Sequence, residues 1–249
     1  MERFAGVRVV VVGGAGGIGG GIAARFAAEG AATVVLDLPR EGASAGATSS
    51  GGEAGIPLIA CDLLDAAGTE AAMAEALERL GGIDVLVNSA GILALGPLLD
   101  LSLDTWQRVM DINARGTLLT MLPAARAMIA QGGGGSIVNI ASMAAKTGGG
   151  NEGAYAASKH AVVGLTRAAA QEWGPHDIRV NALLPGYVLT DMGAATRTEA
   201  DVAAWSTKSP LGRLGTPDDV AGFALFLASP DGAYLTGQSF SITGGMVMH

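Results

Sequence analysis

Val7-Arg8-Val9-Val10-Val11-Val12-Gly13-Gly14-Ala15-Gly16-Gly17-Ile18-Gly19 is the stretch that decides how this chain folds. Apart from Arg8, its first half is an apolar run, continuous over Val9–Val12, as expected of a parallel strand buried on both faces. The glycines follow at once, and a helical pattern then runs from Ile22 to Ala28. A strand, a glycine turn and a helix together make a phosphate site. The glycines let backbone approach a pyrophosphate, and the helix N-terminus offers free N–H groups and the positive end of its dipole. The spacing Gly13-x-x-x-Gly17-x-Gly19 departs from the usual Gly-x-Gly-x-x-Gly. A glycine-rich turn alone is a weak signal; its place between strand and helix favours the phosphate reading over an ordinary tight turn.

Outward from that stretch the pattern repeats. Thr33–Leu36 reads as a second strand ending in Asp37. An acidic residue about twenty positions beyond the glycine turn suits the adenosine ribose hydroxyls and would repel a 2′-phosphate. The next residue is Leu38 and the nearest cation is Arg40, so NAD is expected over NADP. The plainer alternative for Asp37 is a solvated loop carboxylate. Glu41–Gly55 is a Gly/Ala/Ser-rich surface connection. Ile56–Ala60 is a third strand, leading to Cys61-Asp62-Leu63, and Ala66–Leu80 is a helix. Val85–Val87 is a fourth strand, ending in Asn88-Ser89-Ala90-Gly91. Trp106–Ala130 reads as a long helix kinked near Asn113 or Gly116, and an Asn at mid-helix points to a specific task. Ser136–Ala141 is a fifth strand that delivers Ser142 at its carboxyl end, where open α/β sheets bind ligands. Ala154–Trp173 is a helix with a small-residue face. Arg179–Leu183 is a sixth strand, broken by Pro185-Gly186. Residues from about 190 to 215 read as a lid. Pro217–Leu227 is the last main helix, and Ser239–Ile242 a seventh strand. The alternation has no linker, which argues for one doubly wound domain over residues 1–249: a seven-stranded parallel sheet with helices on both faces.

Tyr155-Ala156-Ala157-Ser158-Lys159 places a phenol and an ammonium one helical turn apart on one face. A free phenol, with a pKa of about 10, is a poor proton shuttle at neutral pH. One ammonium at about 4 Å, at an effective dielectric of about 20, supplies roughly the 4 kcal/mol that would bring it to about 7. Tyr-x-x-x-Lys is therefore a sensible acid/base unit, although such a pair also arises by chance as a half-buried ring beside a solvated charge.

Composition narrows the field. The chain has 249 residues, a formal charge of −8 and 49% hydrophobic residues. No basic cluster is present, so nucleic acid and anionic membranes are not expected as partners. The single Cys61 excludes an intramolecular disulfide and reads as a small apolar residue at a strand end. The longest uncharged stretches are broken by glycines and Asn139, so no membrane span is expected, and a soluble, cytoplasmic protein is. His160, His176 and His249 lack a second ligand at metal-site spacing, so no metal site is expected.

Taken in order, Gly13-x-x-x-Gly17-Ile18-Gly19, Asp62-Leu63, Asn88-Ser89-Ala90-Gly91, Asn113, Ser142, Tyr155-x-x-x-Lys159 and Pro185-Gly186 resemble the motifs of the short-chain dehydrogenase/reductase family, over essentially the whole chain. The resemblance implies the Rossmann fold and a catalytic tetrad. Tyr155 exchanges a proton with the substrate oxygen, and Ser142 hydrogen-bonds that oxygen. Lys159 lowers the Tyr155 pKa and binds the nicotinamide ribose, while Asn113 helps to hold a relaying water. It also implies that Gly13, Gly16, Gly17, Ile18 and Gly19 hold the pyrophosphate and Asp37 and Leu38 the adenosine ribose. Asp62 and Leu63 flank the adenine. Asn88, Ala90 and Gly91 line the cofactor cleft, and Pro185, Gly186, Val188 and Thr190 face the nicotinamide. A homotetramer is implied as well. Three positions depart from the pattern: Val12 replaces a Thr, Ser89 an Asn, and Thr243 an Asp. None belongs to the tetrad.

Substrate identity is less legible. Family members acting on acyl-carrier-protein thioesters present basic residues where this chain has Gln131-Gly132-Gly133 and Gln171-Glu172. A small ketone or secondary alcohol is therefore expected: a polyol or sugar, a hydroxyacyl thioester on coenzyme A, or a hydroxysteroid. Met143, Tyr187, Met192 and Trp205 are candidates for the pocket, with ordinary packing as the equal alternative; Lys146 is a candidate for meeting an anionic substrate, with a solvated loop lysine as the better reading. The competing readings are a 3-oxoacyl thioester reductase, a non-catalytic NAD-sensing protein, which the intact tetrad argues against, and a nucleotide-sugar isomerase or dehydratase, which usually carries a larger C-terminal domain.

Overall fold

The structure is a computed structural model and describes residues 2–38, 55–190 and 198–248. The expected connection at 41–55 lies almost wholly outside the described residues, as do Arg40, Met192 and His249. The elements run β1 (Arg8–Val12), α1 (Gly17–Ala28), β2 (Ala32–Asp37), β3 (Leu58–Ala60), α2 (Ala66–Leu80), β4 (Val85–Asn88), α3 (Leu103–Met110), α4 (Gly116–Gln131), β5 (Gly135–Ile140), α5 (Ala144–Thr147), α6 (Gly153–Trp173), β6 (Ile178–Pro185), α7 (Glu199–Ser206), α8 (Pro217–Ala228) and β7 (Ser239–Ile242). All seven strands are parallel, in the order β3-β2-β1-β4-β5-β6-β7. β1 and β4 are neighbours although the chain winds outward in opposite directions from them, so the switch point of the sheet lies between them.

The valine run explains how one strand serves two cores. Val10 and Val12 face the layer of α2, α4 and α6, against Met73, Met121, Met128 and Ala169. Val9 and Val11 face the layer of α1 and α8, against Ile22, Phe26, Val220 and Leu225. Period-two alternation sends neighbouring side chains to opposite faces, and here both faces are apolar. Phe26 is fully buried, and burying such a side chain stabilises by about 1.5–3 kcal/mol.

The long helix expected over Trp106–Ala130 starts earlier and is interrupted. A π-helical turn, Asp111–Arg115, separates α3 from α4, and such turns are frequent at functional sites. β6 extends beyond its expected end: Leu184 and Pro185 still pair with β7. Pro185 is the last residue of the strand, where a missing N–H is tolerated.

Candidate functional site

The carboxyl ends of the strands open into one cleft of about 590 Å³. The glycine turn forms one end. Gly13 has φ +75°, and a Cβ there would run into the Ala90 backbone. Gly17 has φ +56°, and a Cβ there would only touch the Thr190 side chain at 3.7 Å. Gly16 is the N-cap of α1 and no side chain caps that end. The amides of Gly17 and Ile18, in the first turn, therefore have no intrahelical acceptor, and both residues line the cleft. Gly19 stands behind the turn instead, where a Cβ would collide with the Gly13 carbonyl oxygen.

Asp37, at the end of β2, lines the cleft with Leu38. Its Oδ2 accepts from Ala15 N at 2.8 Å and its Oδ1 from Leu38 N at 2.8 Å. The carboxylate thus ties the glycine turn to β2, a contact that reaches across the position where Val12 offers no hydroxyl. Asp62 and Leu63 follow β3, Ala90 and Gly91 follow β4, Pro185 ends β6, and Gly186, Val188 and Thr190 follow it; all line the same cleft. Thr243 does not reach it, and its Oγ1 accepts from Val247 N at 3.2 Å. Asn88 lies behind the wall. Its side chain donates to Asn139 Oδ1 at 2.9 Å and accepts from Thr120 Oγ1 at 2.6 Å, which locks β4 to β5 and α4.

Ser142, Tyr155 and Lys159 line the same cleft. Ser142 hydrogen-bonds the Tyr155 phenol. Lys159 is buried and donates to Ile140 O at 2.9 Å, which fixes its ammonium 5.8 Å from the centre of the Tyr155 ring. Burial pulls the Lys159 pKa down to about 8. Burial also pushes the Tyr155 phenol above its ordinary value; Ser142 opposes that and the charge of Glu152 adds to it. The chain's own groups therefore do not lower the Tyr155 pKa, contrary to the expectation from the Tyr-x-x-x-Lys spacing. The reason is that the loss of water around the phenol outweighs its favourable contacts, while the ammonium is itself desolvated.

Asn113 is fully buried in the π turn. Its Oδ1 accepts from Ile92 N at 2.8 Å, and its Nδ2 donates to Ile92 O at 2.9 Å and Ser158 Oγ at 3.0 Å. Ser158 in turn donates to Tyr155 O at 2.7 Å. The amide clamps the segment after Gly91 to the helix that carries Tyr155. A Cβ on Gly91 would sit 3.2 Å from both Asn113 Oδ1 and Lys159 Nζ, so the glycine allows this close approach.

Tyr187 and Trp205 line the cleft and stack, with centroids 4.7 Å apart and planes 11° from parallel. Trp205 belongs to α7, so the described part of the expected lid is pinned to the wall. Met143 N donates to Pro185 O at 2.9 Å and its carbonyl accepts from Lys146 N and Thr147 N; it does not line the cleft. Lys146 is half-buried and donates to Ser241 Oγ at 3.0 Å, not a solvated loop lysine as its sequence context indicates. Cys61 is buried, and burial pushes its thiol up. Glu152, three residues before Tyr155, also lines the cleft; residues three or four apart share a helical face, so the rule that singles out Lys159 at i+4 applies to Glu152 at i−3 as well.

A family profile described as "Enoyl-(Acyl carrier protein) reductase" matches residues 13–247. The chain is similar to a D-threitol dehydrogenase of Mycolicibacterium smegmatis, 41% identical over 244 residues, covering 98% of this chain and 94% of that protein. It is similar to a (3R)-3-hydroxyacyl-CoA dehydrogenase of Mus musculus, 38% identical over 257 residues, covering 99% and 98%. Among solved structures, it superposes with a TM-score of 0.88 on a putative NAD(P)-dependent gluconate 5-dehydrogenase from Beutenbergia cavernae with bound NADP at low occupancy, 40% identical, covering 98% of each chain.

Proposed function

The chain belongs to the short-chain dehydrogenase/reductase family, and on that premise we propose that it is an NAD(H)-dependent oxidoreductase interconverting a secondary alcohol and a ketone on a small substrate. The observation that carries the reading is that Ser142, Tyr155 and Lys159 face the same cleft as the uncapped N-terminus of α1.

The residues fit a dinucleotide. The free amides of Gly17 and Ile18 suit a pyrophosphate. Asp37 keeps acceptor capacity for ribose hydroxyls and places a negative charge where a 2′-phosphate would stand, which supports NAD over NADP. The nicotinamide, when bound, supplies the hydride acceptor or donor. Tyr155 removes the hydroxyl proton of an alcohol, or returns it to the oxygen of a ketone. Ser142 donates to that oxygen and steadies its developing charge. Lys159, held by Ile140 O, presents its positive charge to the nicotinamide ribose and to the phenol. Asn113 is a positioning residue that keeps the Gly91–Ile92 segment and α6 in register.

An acyl-carrier-protein substrate fits poorly. Gln131 is spent on the Ile83 backbone, with both bonds at 2.8 Å, and Gln171 and Glu172 supply no cation at the other position. The D-threitol and hydroxyacyl relatives are named for alcohol oxidation, which supports a small secondary alcohol here. No described helix is long and apolar enough to cross a membrane; a cytoplasmic location and a homotetramer remain part of the proposal.

The test is a panel of secondary alcohols and ketones with NAD(H) and NADP(H), followed at the nicotinamide absorbance. Turnover with NAD well above NADP is expected. Tyr155→Phe should lose about 10²–10⁴ of it while NADH binding, titrated by fluorescence, persists. Near-native turnover in that variant overturns the assignment, and a native preference for NADP overturns the reading of Asp37.

A further inference from the structure

Glu152 is a carboxylate without a task in the chemistry above. It lies three residues before Tyr155, on the same helical face, and lines the same cleft. It occupies the N-cap of α6, where an acidic residue is common, yet its side chain caps none of the helix amides. Among the described residues its carboxylate accepts no hydrogen bond and forms no ion pair. The side chain lies against Gly149 instead, with Oε2 2.6 Å from where a Cβ would be. Burial pushes its pKa up, and its charge is felt by both Tyr155 and Tyr187. The stacked rings of Tyr187 and Trp205 form an apolar wall of the same cleft.

A half-buried carboxylate with no donor is costly unless something else brings the donors. We propose that Glu152 is a specificity-determining residue: its carboxylate accepts a hydrogen bond from a hydroxyl beside the reacting carbon, so the site favours an uncharged, polyhydric substrate over an anionic one. The inference rests on the dehydrogenase reading and narrows its substrate class. Substrate hydroxyls supply the missing donors, and the C–H face of a polyol packs on the aromatic wall. A carboxylate or phosphate placed beside Glu152 meets a like charge and is disfavoured there, while Arg108, the exposed cation that also lines the cleft, makes no contact with Glu152 that offsets it. A capping role alone would account for the residue type, but not for a side chain that leaves the helix amides and lines the cleft.

The test compares kcat/KM, with saturating NAD, for alditols of four to six carbons, for 2-butanol and for 3-hydroxybutyrate. The native protein should favour at least one alditol over both other compounds. Glu152→Leu should lower the ratio of alditol to 2-butanol by about ten- to a hundredfold, chiefly through KM. Glu152→Gln, which keeps an acceptor and removes the charge, should recover part of that ratio and raise relative activity on 3-hydroxybutyrate. NADH binding and the melting midpoint report whether each variant is folded. Equal losses on alditol and 2-butanol, or an unchanged ratio, overturn the proposal. A native protein that oxidises 2-butanol or 3-hydroxybutyrate faster than every alditol also overturns it and leaves the dehydrogenase reading standing. A protein that oxidises no alcohol in the panel overturns both.

Discussion

Tyr155 and Lys159 stand in surroundings that push both toward their neutral forms. The phenol is raised by burial and by Glu152, and the ammonium is lowered to about 8 by burial. Alcohol oxidation requires the phenolate and ketone reduction the phenol. Oxidative kcat/KM should therefore rise with pH through one ionisation, and reductive kcat/KM should fall at alkaline pH. The observed value belongs to the coupled site. Glu152→Gln removes a negative charge that disfavours the phenolate, so the oxidative ionisation should move to lower pH; pH profiles in both directions, with chemistry limiting, check this. An upward move contradicts it. Lys159 carries a second prediction. A lysine at about 8 in the fold, against an ordinary 10.5, costs roughly 3 kcal/mol of stability at neutral pH. That penalty is complete below pH 8 and is relieved as the pH rises toward 10.5. Lys159→Met removes it at the expense of one charge-assisted hydrogen bond to Ile140 O, worth about 1.5–3 kcal/mol. The net gain of at most about 1.5 kcal/mol should leave the melting midpoint at pH 7 unchanged or raised by up to roughly 6 °C while NADH binding weakens. A clearly lower midpoint contradicts it.

At the scale of elements, α8 shows how short-range chemistry anchors a helix that covers the sheet. Thr216 Oγ1 accepts from Asp219 N at 3.3 Å, Asp219 Oδ2 accepts from Thr216 N at 2.7 Å, and Pro217 opens the helix. This is a reciprocal capping box. The side-chain hydrogen bond from Arg213, with the backbone bond from Thr216, holds the Asp219 carboxyl well below its ordinary 3.8. Its contribution is present above that value and is lost as the pH falls through the lower folded one. The pair with Arg213 is exposed and adds little by itself. Thr216→Ala should cost about 1 kcal/mol and Thr216→Ser much less, as read by thermal unfolding; equal losses would remove the capping account. The π turn between α3 and α4 is the other lesson at this scale. A mid-helix Asn marks a place where the ladder is disturbed, and here the disturbance lets Asn113 bond the Ile92 backbone and Ser158 at once.

For the whole molecule, two apolar or small-residue surfaces stay open. Gly164 and Ala168 are exposed on α6. β7 is the last strand of the sheet, next to the ring contacts of Phe223 with Phe226 and Phe240. Open edges and flat apolar surfaces are liabilities unless covered. The proposed homotetramer covers both, one through α6 and α4 and the other through α8 and β7. Sedimentation at micromolar concentration should give four times the 24.7 kDa of one chain; a stable monomer contradicts it.

What the sequence alone determined is what neighbours along the chain control. The valine run, the glycine turn, the helix starts and the order of strand ends follow from periodicity and local conformation, and they were enough to place Gly13, Gly17, Asp37, Ser142, Tyr155 and Lys159 on one rim. What only the tertiary structure decided depends on which distant groups come to cover a side chain. The Asp37 carboxylate ties the glycine turn to β2, Gln131 is spent on Ile83, Lys146 is pinned to β7, and Asn88 and Asn113 stand behind the cleft wall. The sign of the Tyr155 shift and the unpartnered Glu152 belong to the same class. Sequence spacing gives the distance between two charges on one helix, but their energies depend on the water excluded by β5, β6 and the wall around them. That exclusion is a property of the assembled sheet and its helices.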